Sequence, residues 1–427
     1  MIITGRLVAL LALCTALAVA PSGVLWAAAG VLVCVALVDF AYAATIGDIT
    51  VQRSPSAAVR LYESGSTTLT FRNVGRRTLR GLIADTWVPS AGAGQRPIPL
   101  RLDAGEHKQT TTALTPSRRG ERDAVSVTIR SHGPLGLLAR QRRIVVPGSI
   151  AVLPAFTSRR FLPEKVARLR LIEGAVLMRQ RGKGSEFDSM REYVPGDDVR
   201  AIDWRATARH HDVIVRTWRP ERDRHIILTI DTGRGSAARI GDEPRLDAAI
   251  DAALLLGTLA GRAGDKVGVV AADLAVRAKL APKNRKDLVN AMATAMMPLE
   301  PALVETDTRL LIAQTLGLSA RRSLVVLFTN LDDANADALL NTAVALQRRH
   351  KLVVASVDDH RLLELAQTRG TTEEVLMAAA AELAMGAREA VADRLRALGV
   401  HVVRAPEATF ASQVADAYLD LKAAGQL

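Results

Sequence analysis

Beyond residue 224 the sequence alternates in one pattern to its end. Five short apolar runs, HIILTID (225–231), KVGVVAAD (266–273), SLVVLFTN (323–330), KLVVASVD (351–358) and HVVRA (401–405), are separated by segments of helical periodicity. Runs that are apolar at nearly every position suit strands buried on both faces, which is the condition of a parallel sheet. The intervening segments, among them RLDAAIDAALLLGTLAGRAG (245–264) and ADALLNTAVALQRRH (336–350), are long enough to carry the chain back for the next parallel strand. The pattern therefore predicts a doubly wound α/β domain over 225–427, with helices on both faces of the sheet. Ligands of such sheets bind at the carboxyl ends of strands, which directs attention to Asp231 and Asn330.

The opposite end of the chain has another character. Residues 7–20 (LVALLALCTALAVA) and 24–38 (VLWAAAGVLVCVALV) are uncharged apolar runs broken by Pro21-Ser22-Gly23. Two membrane helices in a tight hairpin, an anchor over 1–44, are the expectation. Each run falls a little short of the roughly 20 residues that cross a bilayer, and Ile2, Ile3, Phe40 and Tyr42 extend them. A cleaved leader is the competing reading, because Arg6, the apolar stretch after it and Ala18-Val19-Ala20 fit that pattern. The second run would then stop transfer. Both readings place the soluble part on the cytoplasmic side of a plasma membrane, in agreement with Arg53, Arg60, Arg72, Arg76 and Arg77 downstream. Both cysteines, Cys14 and Cys34, lie in the apolar runs, so the soluble part has neither a disulfide framework nor a thiolate metal site.

From 46 to 153, short β-type runs such as ITVQR, TTLTFRNVG and SVTIR are punctuated by Gly, Pro and Asn, and predict an antiparallel, sandwich-like domain. Arg118-Arg119-Gly120 and Pro134-Leu135-Gly136-Leu137 read first as turns closing hairpins and second as binding loops. Most of the formal charge of +12 sits here: residues 46–160 hold 18 basic and 7 acidic side chains. Basic residues next to a membrane are attracted to anionic lipid. Nucleic acid is not expected, since aromatic residues make up 4% of the chain and supply no stacking platform.

Residues 161–224 interleave both charges and read as a connector. Pro195-Gly196 makes a turn, Asp197 or Asp198 caps a helical segment in which Val199, Ile202 and Ala206 share a face, and residues 213–218 alternate as a strand does. Such a run is ordinarily a solvated face, because exposed ion pairs are individually weak. The sharper expectation is a docking surface, for a protein partner or between domains, made by Arg191, Asp197, Asp198, Arg200, Asp203, Trp204, Arg205 and Arg209. Gly182-Lys183-Gly184-Ser185 is not a phosphate loop, since the Walker pattern needs Ser or Thr directly after Gly-Lys.

The stretch from Gly184-Ser185-Glu186-Phe187 through Arg191-Glu192-Tyr193, Pro195-Gly196-Asp197-Asp198, Arg200 and Ile202-Asp203-Trp204 to Ala208-Arg209 resembles the signature of the domain-of-unknown-function 58 family. The N-terminal apolar hairpin, the β-rich segment with its Arg-Arg-Gly and Pro-Leu-Gly-Leu turns, and the α/β half are similar to that family as well. The resemblance implies that the α/β half is von Willebrand factor A-like, that the chain is bacterial and cytoplasm-facing, and that it serves as accessory or adaptor to a MoxR-type AAA ATPase.

It also implies a place to look for a metal. In von Willebrand A domains the first strand ends in Asp-x-Ser-x-Ser, with a Thr and an Asp from later loops, and these oxygens hold Mg2+. Here the sequence runs Asp231-Thr232-Gly233-Arg234-Gly235-Ser236, with glycine at both serine positions and Ser236 one residue late. Thr306 is the candidate for the later Thr, and Asn330 stands at the Asp position. The site made by Asp231, Ser236 and Thr306 is degenerate, and no resident cofactor is expected.

No nucleophile elbow, zincin motif or phosphate loop occurs, so enzymatic activity is not expected. His210-His211-Asp212 reads as a surface cluster, since adjacent histidines on a strand point to opposite faces. Two alternatives stand beside the adaptor: a structural or envelope-assembly protein that binds through its β-rich domain, and a hydrolase with a site no motif marks.

Overall fold

The computed structural model describes residues 2–16, 22–94, 96–179, 186–195, 197–209, 212–219, 224–283 and 286–427. The chain is a mixed α/β protein with several sheets, and it divides into two compact units, Met1–Leu153 and Pro154–Leu427.

The first unit begins with helix α1 (Gly5–Ala16) and helix α2 (Ser22–Tyr42). Of the two, α2 belongs to the one stretch among the described residues that is long and apolar enough to cross a membrane, with a mean hydropathy of 2.1. It is apolar all round, with Trp26, Val31, Val33, Leu37 and Val38 exposed and little but Ala36 and Asp39 buried, as a helix solvated by lipid would be. Two spanning helices were expected, and of the first the structure describes the 12 residues of α1. The Ala18-Val19-Ala20 sequence and Pro21 lie outside the described residues.

Eight strands of five or more residues follow among the described residues: β1 (Ile49–Arg53), β2 (Gly65–Asn73), β3 (Leu79–Trp87), β4 (Ile98–Leu102), β5 (His107–Leu114), β6 (Gly120–His132), β7 (Leu138–Ile144) and β8 (Ser149–Leu153). Strands β1, β2 and β5 form one antiparallel sheet. In the other, the long β6 pairs with β7 and then β8 along one edge and with β3 along the other. Alternation along β2 puts Leu69 and Phe71 into one core with Leu79, Ile83, Leu102, Val127 and Ile129 of the second sheet. A buried ion pair at 2.7 Å joins Arg53 of β1 to Asp85 of β3, and Trp87 Nε1 donates to the same carboxylate at 2.9 Å.

In the second unit, residues 162–179, expected to be connector, form helix α3 (Leu162–Arg179). Its interleaved charges belong to a packed face: Lys165 Nζ lies 2.8 Å from Asp416, and Arg168 reaches Asp416 at 2.7 Å and Asp420 at 2.5 Å. Next come β9 (Glu186–Glu192) and β10 (Ile214–Arg219), an isolated antiparallel pair. The six-stranded sheet is built from β11 (His225–Asp231), β12 (Lys266–Ala272), β13 (Val276–Lys283), β14 (Leu324–Phe328), β15 (Lys351–Asp358) and β16 (His401–Pro406). Its order is β13-β12-β11-β14-β15-β16, with β13 antiparallel at one edge and the other five parallel.

Helices cover both faces of this sheet. On one, Leu311 of α6 (Thr308–Leu318, following α5, Leu288–Met296), Leu339 and Leu346 of α7 (Ala336–Gln347) and Val391 and Leu395 of α8 (Thr372–Ala397) pack on Ile227, Val325, Leu327 and Val354. On the other lie α4 (Arg245–Arg262) and α9 (Glu407–Ala423). The turn after β11, the first strand of the sheet, stands where loops from β12 and β14 converge.

Candidate docking module and strand-end site

Two places carry the side chains singled out by the sequence, and both are organised by an aspartate. In the β9–β10 module the chain between the strands makes a 3-10 turn at Val199–Ala201 and one helical turn at Trp204–Thr207. The continuous helical face expected for Val199, Ile202 and Ala206 does not form. Ile202 instead bridges Val215 of β10, and Asp203 N donates to Ile214 O at 2.8 Å, so extended pairing interrupts the helix.

Four of the expected docking residues hold this loop together. Asp203 Oδ1 accepts from the backbone N–H groups of Arg205 and Ala206, both at 3.0 Å, and its Oδ2 accepts from Arg216 Nε at 2.7 Å. Its side chain is buried, and the Ala206 N–H, then Arg216, hold its carboxyl below the ordinary aspartate range. Asp198 accepts from Arg200 N at 3.0 Å, as an N-cap does. Arg191 pairs with Asp197 at 2.6 Å, and Asp197 also accepts from Val194 N; the Arg191 bond is the larger cause of a lowered Asp197 carboxyl.

The other four face outward. Trp204 is 69% exposed, and Arg200, Arg205 and Arg209 are exposed with no side-chain partner among the described residues. Met190, Val194 and Val199 add exposed apolar surface in the same module. Gly184, Ser185, Gly196 and the His210-His211 pair lie outside the described residues.

The strand-end site is built differently. Asp231 closes β11, and its carboxylate is fully engaged: Oδ1 accepts from Gly233 N at 2.9 Å and from the Thr306 hydroxyl, and Oδ2 accepts from the Thr329 hydroxyl at 2.8 Å. Ser236, one residue late in the sequence, donates its hydroxyl to the backbone carbonyl of Asp231 and not toward the carboxylate. Asp273 supports the turn from β12. It accepts from the Thr232 hydroxyl at 3.0 Å and from Arg277 Nε at 2.8 Å. Burial pushes the Asp273 carboxyl up, but Arg277, the Ala275 N–H and Thr232 together outweigh it and hold the group below its ordinary range.

A cavity of about 260 Å³ adjoins Asp231, lined in part by Arg234, Glu305, Thr329, Asn330 and Asp332. Arg234 pairs with Glu305 at 2.5 Å, and neither amide atom of Asn330 has a hydrogen-bond partner among the described residues. These residues do not fit a Mg2+ shell. Such a shell needs several free, mostly anionic oxygens in near-octahedral array, whereas here the Asp231 oxygens already accept three bonds. Among the described residues no group of three or more His, Cys, Asp or Glu side chains is placed to hold a metal.

A Cβ at Gly233 would lie 2.1 Å from Thr306 Oγ1, so the threonine that binds Asp231 occupies the space a side chain there would need. At Gly235 the fit is only tight, with a Cβ 3.2 Å from Asn330 Cβ. Thr329, Asp273 and Glu305 were not singled out by the sequence; the position of Thr329 directly before Asn330, and of Asp273 at the end of its strand, are the signals that mark them.

The chain is similar to an uncharacterized protein of Mycobacterium tuberculosis, 28% identical over 186 residues that cover 43% of this chain and 58% of that protein. It is also similar to the uncharacterized protein YeaD of Bacillus subtilis, 26% identical over 113 residues, 26% of this chain and 28% of that one. The chain thus spans somewhat over half the length of the mycobacterial relative. Among solved structures, BatB from Bacteroides thetaiotaomicron aligns with 47% of this chain and 99% of its own at 13% identity and a TM-score of 0.31, a score too low to bear on the fold. The sequence profile described as "Protein of unknown function DUF58" matches residues 189–390, from the charged module into α8, so that stretch of the chain is similar to the DUF58 family.

Proposed function

We propose that this protein is a membrane-anchored, non-enzymatic binding protein whose β9–β10 module docks a protein partner, an AAA ATPase of the MoxR type. The observation that carries the reading is Trp204, a large ring left 69% exposed on a turn that a buried carboxylate keeps folded. Tryptophan and arginine dominate binding hot spots, and Trp204 stands among three exposed arginines. The nature of the partner comes from the family resemblance. The sheet order and the converging strand-end loops support a von Willebrand A-like reading of the second unit, and the common core of two antiparallel sheets supports a sandwich in the first. Helix α2 supports the anchor, with both units on the cytoplasmic side as the basic residues that follow it suggest.

In this reading the strand-end site does not need a metal to meet its partner. The test is a crosslinking pull-down from membranes with Trp204→Ala and Arg200→Ala, scored against a co-expressed MoxR-type ATPase. Loss of the crosslink with unchanged melting is the expected result. Full recovery of the ATPase by both variants overturns the proposal.

A further inference from the structure

The last turn of α2 is held by the β-rich part of the first unit in an unusual way. Asp39 is 2% exposed, and its carboxylate accepts from the backbone N–H groups of Leu135 at 2.7 Å, Leu137 at 2.8 Å and Leu138 at 3.3 Å. Pro134-Leu135-Gly136-Leu137, one of the two candidate binding loops, is therefore a socket for the helix end. A Cβ at Gly133 would lie 2.3 Å from both Asp39 O and Oδ1, so only glycine allows the approach. The start of the chain comes to the same socket. Ile2 and Ile3 pair with Ala139 and Leu138, and the Thr4 hydroxyl donates to Gly136 O at 2.7 Å. The beginning of α1 and the end of α2 thus meet at one level.

Arginines ring that level. Arg6 donates to Leu135 O at 3.2 Å, Arg77 donates to Ala41 O and lies 5.6 Å from the Tyr42 ring, and Arg140 donates to Phe40 O at 3.3 Å and lies 4.4 Å from the Phe40 ring. Arg6, Arg76 and Arg77 are exposed, and Leu135, at 54%, presents an apolar tip beside them. Asp39, the acid within this ring, faces inward and is consumed by the three N–H groups. Beside it His132 is held below the ordinary histidine range by burial first and then by Arg130 and Arg6, against the pull of Asp39.

We infer that this collar of Arg6, Arg77 and Arg140, with the exposed Arg76 next to Arg77 in the chain and Leu135 at its edge, binds the phosphates of anionic lipid headgroups around the foot of α2. The inference rests on the membrane-anchored reading. Arg77 and Arg140 each donate one N–H to a carbonyl at the end of α2 and Arg6 donates one to Leu135 O, and the exposed Arg6, Arg76 and Arg77 keep outward donors for a phosphate, which arginine engages bidentately. A helix apolar enough to span a bilayer fixes where the headgroups lie, and arginines at that level gain from an anionic leaflet. The hydrogen bonds of the socket tie the collar to the end of α2.

The experiment is native mass spectrometry of the full chain in detergent, titrated with phosphatidylglycerol or phosphatidylcholine, with flotation on pure phosphatidylcholine vesicles in parallel. The expected result is a preference for phosphatidylglycerol that falls about fivefold for each arginine replaced in Arg6→Gln and Arg77→Gln, and stays largely intact in the corresponding lysine variants, which keep the charge. Equal binding of the two lipids, or a preference unchanged in the Gln double variant, overturns the collar while flotation persists. Loss of the preference in excess inorganic phosphate shows a free-anion site and overturns it too. Failure of the unaltered chain to float overturns the anchored reading itself.

Discussion

Asp203 and Asp231 are both aspartates at the start of a turn, each accepting three hydrogen bonds, yet they leave opposite surfaces behind. Asp203 draws its donors from the two following backbone N–H groups and from Arg216, all within one β-hairpin module. Nothing comes in from another loop, so Trp204 and its arginines remain outside. Asp231 draws one donor from its own turn and two hydroxyls from loops that follow other elements. Those loops close over it, and the carboxylate that could have offered itself to a ligand ties the ends of the sheet together instead. A carboxylate satisfied locally displays its neighbours; one satisfied over long range consumes its site.

The difference predicts unequal costs. Asp231→Ala removes the acceptor for two hydroxyls and an N–H in partly buried surroundings, at about 1 kcal/mol each, so the full chain should lose about 3 kcal/mol in urea unfolding of the second unit. Asp203→Ala should act locally, with the Arg205 and Ala206 amides exchanging faster while the six-stranded sheet keeps its protection. If the sheet melts equally in both variants, the contrast between the two aspartates is false.

Gly233→Ser restores one residue of the metal pattern and tests whether the site is merely missing a ligand. With Thr306 Oγ1 2.1 Å from the new Cβ, the expected outcome is destabilisation of about 1–3 kcal/mol from overpacking and no Mg2+ binding in titration calorimetry. Heat of binding that depends on Asp231 would show that the loop relaxes into a working shell.

A smaller effect follows from acid. The folded-state carboxyls of Asp203 and Asp197 are depressed, by the Ala206 N–H and Arg216 in one case and by Arg191 and the Val194 N–H in the other. A depressed carboxyl contributes stability that is fully present above the unfolded value, about 3.9, and is lost as pH falls through the lower folded value. Amide exchange in the module should therefore be flat from neutral pH down to about pH 5 after correction for intrinsic rates, and rise below pH 4. A rise already at pH 6 would point to a different group.

Much of this was legible in the sequence, and the exceptions have physical causes. The apolar runs at 225–231, 266–273, 323–330, 351–358 and 401–405 correspond to the parallel strands, because burial on both faces leaves little room for polar residues. Strand β13, VRAKLAPK, is hidden by its edge position: Val276, Arg277 and Lys279 are exposed, and the run lacks a buried strand's signature. Helix α3 reads as connector because its lysine and arginine are matched by Asp416 and Asp420, some 250 residues away, which no local pattern can show. At the strand-end site, the glycines at 233 and 235 were readable in the sequence. That Thr306 fills the vacated space was not, since it depends on a contact between loops 73 residues apart.

The smallest expected effect on stability is also the one that decides what the module is for. Trp204→Ala removes a ring that is 69% exposed and caps nothing; its backbone N–H and carbonyl, which belong to the helical turn, are untouched. Exposed substitutions of this kind change stability by about 0.5 kcal/mol or less, so the melting temperature should stay within about 2 °C of the unaltered chain. A tryptophan at the centre of an interface behaves otherwise, and its truncation costs about 2 kcal/mol or more of binding, at least 30-fold in affinity. The two readings therefore separate in one variant measured twice, by melting and by affinity for the ATPase. A large fall in melting would mean that Trp204 is buried against something in the folded chain and that Asp203 displays nothing. Unchanged melting with unchanged affinity would leave the module a hydrogen-bonded hairpin whose ring meets only water.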